Sequence, residues 1–132
     1  MRLFTTASVL FLLITLTAGS SFAKSPSLIG SWRGGGIIQP VNGAKERTRC
    51  RADIKKAPAR GQYRANYRCS SPYGVVSQAV IVKRTSANRY SGSFNNTELK
   101  VRGSISIILR GNKQTVTMNS PEGRGLIKMQ KH

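Results

Sequence analysis

The chain has 132 residues, with 22 lysines and arginines against 4 acids, and a net charge of +18. So few carboxylates leave little for paired acid–base chemistry or for a carboxylate-rich metal site. The excess charge draws the chain toward anionic partners and says nothing about its fold.

Residues 1–23 read as a secretory signal peptide. Arg2 supplies the positive start, and Val9-Leu10-Phe11-Leu12-Leu13-Ile14 forms the apolar heart. Ser21-Phe22-Ala23 is a small-x-small cleavage site, so the mature chain is expected to start at Lys24. The apolar run is too short and too rich in threonine to be a good membrane span. No cysteine follows the cleavage site to carry a lipid. The expected location is therefore periplasmic or extracellular. Residues 24–132 are expected to form a single domain without a transmembrane segment.

Leu28 to Gln39 reads as a first strand. The Gly34-Gly35-Gly36 run inside it predicts a sharp bend or bulge, as at a barrel corner. It is not a phosphate-cradling loop, because neither Gly-Lys-Ser/Thr nor a helix follows it. Pro40-Val41-Asn42-Gly43 reads as a turn in which Asn-Gly supplies positive φ.

The next two segments organise the rest. Glu46–Lys55 and Gln62–Ser70 both alternate with period two, the mark of half-buried strands. Thr48, Cys50, Ala52 and Ile54 share one face of the first, and Arg47, Arg49, Arg51, Asp53 and Lys55 the other. Tyr63, Ala65, Tyr67 and Cys69 share one face of the second, and Arg64 and Arg68 the other. The chain holds 2 cysteines. Ala59 and Arg60 lie midway between them, beside the turn formers Pro58 and Gly61. A hairpin closed there puts Cys50 opposite Cys69 on one face, close enough for a disulfide. The same register sets Arg51 against Arg68, Asp53 against Asn66 and Lys55 against Arg64 on the outer face. Like charges directly opposed destabilise a sheet, unless water screens them or an anion sits on them. The row is therefore either a solvated basic face or an anion-binding ladder of Arg47, Arg49, Arg51, Lys55, Arg64 and Arg68.

Val75–Lys83 is a β-prone strand, and Thr85–Asn88 turns it into Arg89–Phe94. Leu99, Val101, Ile105, Ile107 and Leu109 then alternate with polar residues. Arg110-Gly111-Asn112-Lys113 is a tight hairpin turn. Gln114–Asn119 and a last strand through Ile127 and Met129 complete the chain. About eight short strands with turn punctuation, and no helical period, predict an all-β fold. Short sequential connections favour a small antiparallel up-and-down β-barrel stapled by one disulfide.

Gly30-Ser31-Trp32 resembles the Gly-x-Trp signature of the calycin superfamily, which includes lipocalins, fatty-acid-binding proteins and avidins. The resemblance implies that Trp32 closes the barrel base under a basic residue of the last strand, with Arg124 or Lys128 in that role. It also implies a carrier holding a small apolar ligand. The wider pattern of signal, Ser-Trp-Arg-Gly-Gly-Gly, Arg-Cys-Arg hairpin and Tyr-Ser-Gly-Ser-Phe resembles short uncharacterised secreted proteins of Gram-negative bacteria.

Catalytic chemistry finds little support. The sole histidine is His132, and no acid lies in an apolar stretch that would raise its pKa. The cysteines are used by the disulfide. The chain reads as non-enzymatic, cofactor-free, metal-free and monomeric. The first function expected is binding of an anionic polymer or lipid head groups through the arginine ladder, with nucleic acid a partner in vitro only. The alternatives are the calycin-like carrier and a protein-interaction or inhibitor module of the cell envelope.

Overall fold

A computed structural model describes residues 27–132 and Gly19. The signal-peptide assignment lies outside the described residues. Period-two alternation governs everything else. The chain forms β1 (Gly30–Pro40), β2 (Glu46–Lys56), β3 (Gln62–Ser71), β4 (Gly74–Ser86), β5 (Arg89–Asn96), β6 (Val101–Arg110), β7 (Lys113–Ser120) and β8 (Gly123–Lys131). Each strand pairs antiparallel with the next, and β1 pairs with β8 to close the barrel. Closure leaves no free sheet edge. No helix among the described residues is long and apolar enough to cross a membrane.

Apolar residues of alternate positions meet inside. Ile54, Ala65, Val82, Ile107, Leu109, Val116 and Ile127 are all almost fully buried there. The intervening positions, including Arg47, Arg49, Arg51, Asp53 and Lys55, are exposed. The β2–β3 register is the one the cysteines predict: Cys50 faces Cys69, Arg51 faces Arg68, Asp53 faces Asn66 and Lys55 faces Arg64. Cys50 and Cys69 form the disulfide, with Cα atoms 4.1 Å apart.

Strand order defines two ends. The base gathers residues 27–29 and the β2–β3, β4–β5 and β6–β7 turns. The mouth gathers the β1–β2, β3–β4, β5–β6 and β7–β8 turns.

Three local expectations need correction. The glycine run holds no bulge, since β1 keeps unbroken register with both β2 and β8. Its glycines permit close approach instead. A Cβ on Gly34 or Gly36 would collide with the carbonyl oxygens of Lys128 and Leu126 on β8. A small barrel must coil its strands tightly, and glycine allows this where inward side chains would crowd. The turn after Pro40 does not use positive φ, which among the described residues occurs at Gly30, Gly61, Gly74, Gly111 and Lys100. The loop between β1 and β2 spans residues 41–45, too wide to require a tight mirror-image turn. Leu99 belongs to a turn rather than to β6, because Lys100 adopts φ 54° just before the strand begins.

The disulfide closes a segment of sequence separation 19. Replacing both Cys50 and Cys69 by Ala is expected to lower unfolding stability by about 3 kcal/mol through the larger entropy of the open unfolded chain. Urea titration of the oxidised protein and the double variant measures it.

Candidate ligand site at the open end of the barrel

The two ends of the barrel differ in how they are filled. At the base, residues 27–29 fold across the opening and drive Leu28 into the core. Trp32 Nε1 donates to the Leu28 carbonyl at 2.9 Å, which pins that plug. Lys131 is the cross-strand partner of Trp32. Its Nζ lies 5.2 Å from the indole centroid and donates to the Ser27 carbonyl at 2.8 Å. A second capped aromatic completes the base. Tyr63 and Tyr90 pack edge to face at 5.4 Å, and Arg84 donates to the Tyr90 hydroxyl at 3.0 Å while lying over its ring.

Trp32 therefore occupies the base, as the resemblance implies, but its basic partner is neither Arg124 nor Lys128. Arg124 lies at the mouth, level with Gln39 near the start of β8. Lys128 sits between the buried Ile127 and Met129 and alternates outward. Counting by twos from Ile127 and Met129 reaches Lys131, so the signal is present in the sequence.

Toward the mouth the interior opens. Along β4 the inward residues pass from Val82 at 0% exposed, through Val80 at 4%, to Val76 at 41%. A cavity of about 300 Å³ occupies this half. Its walls are mostly apolar, with Ile38, Val76, Phe94, Val101, Ile105 and Met118 among them. Cys69 contributes to the wall, so the disulfide helps shape the cavity. Tyr67 also lines it, and its hydroxyl donates to Gln114 Oε1 at 3.5 Å. Gln114 Nε2 is buried without a hydrogen-bond partner. Burial pushes the Tyr67 phenol well above its ordinary value of 10.0.

The outer face has its own geometry. Arg47, Arg49, Arg51 and Lys55 stand exposed on β2, and Arg64 and Arg68 on β3. The structure adds one residue that the hairpin alone does not reveal. Arg33 on β1 faces Arg51, which faces Arg68, so one row of arginines crosses three strands. Only the β1–β2 register aligns it. Asp53, two positions along β2 from Arg51, accepts a hydrogen bond from Ser31 Oγ at 2.7 Å.

No protein-family model and no curated protein matches the sequence. Solved structures share its fold. A de novo designed fluorescence-activating β-barrel aligns with a TM-score of 0.59 at 12% identity, over 79% of this chain and 93% of that one. The redesigned barrel mFAP1, bound to DFHBI, gives 0.63 at 9% identity, over 80% and 94%. The S-type phycobiliprotein lyase CPES from Guillardia theta gives 0.51 at 9% identity, over 80% and 88%. The likeness is one of fold. It agrees with the small antiparallel β-barrel expected from the strand pattern.

The Tyr67 environment has a pH consequence. Above about pH 10 the unfolded chain ionises this tyrosine, while the folded chain keeps it protonated. The folded state then binds more protons, so its stability falls as pH rises through this range. Urea midpoints from pH 8 to 12 are expected to fall more steeply for the parent than for Tyr67→Phe, with a constant offset below about pH 10.

Proposed function

We propose that the protein is a non-enzymatic carrier that holds a small apolar ligand in the open half of its barrel. The contrast between a plugged base and an apolar mouth cavity of about 300 Å³ carries this reading. That volume sits at the lower end of small-molecule sites, roughly 300–1,000 Å³. A neighbour of the same fold, mFAP1, was solved bound to DFHBI, which supports small-molecule binding by such a barrel. The cavity offers little for catalysis. Its acid, Glu122, stands at the rim and accepts from Ser120 Oγ at 2.9 Å. His132 is at the opposite end, its backbone N–H bonded to the Ser31 carbonyl. The disulfide fits an oxidising compartment, in keeping with the export signal read in residues 1–23.

Two neighbouring valines test the reading. Val76 lines the cavity, whereas Val75 lies on the outer face beside Arg68 and Ser70. Val76→Trp is expected to weaken a neutral fluorescent probe such as N-phenyl-1-naphthylamine by about tenfold or more, because the indole takes the ligand's space. Val75→Trp is expected to leave binding unchanged. Equal affinity in both variants would place the probe elsewhere and remove the carrier reading.

A second reading, binding of an anionic polymer or lipid head groups by the outer face, is favoured by the Arg33–Arg51–Arg68 row. Guanidinium groups held in a line offer several planar forks to phosphate or sulfate. Arg51→Ala with Arg68→Ala is expected to lower the salt needed for elution from a heparin column more than Lys83→Ala with Lys113→Ala does. Equal shifts would mean that bulk charge alone sets retention.

A further inference from the structure

The outer arginines of β2 and β3 meet the inner cavity at the rim, and Arg124 reaches the same cavity from β8. A groove of about 590 Å³ runs over the outer face of β1, β2 and β3, lined by Arg33, Arg49, Arg51 and Arg68. A second hollow of about 580 Å³ adjoins it on the mouth side. The two share Arg49 and Ser70, and the second adds Arg47, Ser71 and Pro72. The trough exists because Gly35, level with Arg49 on one side and Lys128 on the other, puts no side chain on the outer surface.

Thr48 and Ser71 line both this outer hollow and the interior cavity. Only the rim formed by β2 and β3 therefore separates apolar space from cationic surface. Arg49 is level with Ser70, one residue below Ser71. Arg47 lies two residues nearer the mouth, about 7 Å along the strand from Arg49. A group crossing the rim at Ser71 arrives between them. Among the described residues no carboxylate lines the outer groove or the hollow: Asp53 lies beyond Arg51, bonded to Ser31, and Glu122 lines the cavity from the β7–β8 turn.

We propose that the ligand is an anionic amphiphile, its chain in the mouth cavity and its phosphate-ester head group outside the rim on Arg47 and Arg49. Arg51, Arg68 and Arg33 extend the positive surface below it. This rests on the carrier reading for the chain and adds the head group. Phosphate fits better than carboxylate. Each guanidinium fork engages two oxygens, and a phosphate monoester offers three free oxygens to two forks where a carboxylate offers two to one.

The test uses the disulfide-bonded protein and two lipids with the same acyl chain, lysophosphatidic acid and monoacylglycerol. Each competes with N-phenyl-1-naphthylamine at low salt. Lysophosphatidic acid is expected to displace the probe at about tenfold lower concentration, a ratio reachable with two charge-assisted contacts. That advantage is expected to vanish in Arg47→Ala with Arg49→Ala and to persist in Lys83→Ala with Lys113→Ala. If monoacylglycerol competes and the phosphate adds nothing, the head-group site is wrong and the carrier stands. The head-group site is equally wrong if the advantage survives loss of Arg47 and Arg49, or disappears to the same extent in the lysine variant. If the probe does not bind and neither lipid protects the folded chain against thermal unfolding, the carrier reading fails and the head-group site with it.

Discussion

The covalent link between Cys50 and Cys69 sets the register on which both faces of the barrel depend. A strand's side chains alternate, so a slip of one residue would exchange its two faces. On β2 that slip would bury Arg49 and Arg51 and expose Cys50 and Ile54. Burying unpaired guanidinium groups is far costlier than the slip could recover. The disulfide and the alternation therefore enforce the same arrangement. Thiols, Tyr67 and Ala65 turn inward, and the cations turn out.

Inside, the two halves of the barrel do different work. The base is filled by large side chains and sealed by a cation over each of two aromatic rings, Lys131 on Trp32 and Arg84 on Tyr90. Burying a residue such as Leu28 there stabilises the fold by about 1.5–3 kcal/mol. The mouth half gives up part of that packing. Val76 and Phe94 remain partly exposed although they point inward. Stability is thus concentrated at one end, which leaves the other free to hold a ligand-sized space. Beside that space the outer wall carries arginines with no side chain at Gly35 to separate them from Lys128. The apolar and cationic features of the molecule converge on the rim at Thr48 and Ser71.

Much of this is legible in residue order. The alternation from Glu46 to Ser70, with proline and glycine midway between the cysteines, dictates the β2–β3 register. Arg110-Gly111-Asn112-Lys113 marks a tight turn, and Gly111 does adopt positive φ. Other features are less legible. The glycine run at 34–36 looks like a bulge, because a local reading cannot see β8 pressing against β1. The resemblance offers Trp32 a partner in Arg124 or Lys128, where strict alternation from Met129 points to Lys131. Arg33 is absent from the expected arginine row, since nothing local to the hairpin places β1 beside it.

Residue order by itself determined the class of fold, the eight strands, the disulfide and which side chains face out, because these follow from a period of two and from turn chemistry over short distances. Tertiary structure alone decided how far the interior is filled and where cavity and cations meet. Those properties depend on the sum of side-chain volumes around a closed ring and on registers between strands such as β1 and β8. Residues far apart in the chain share that ring, and no local pattern encodes the space left between them.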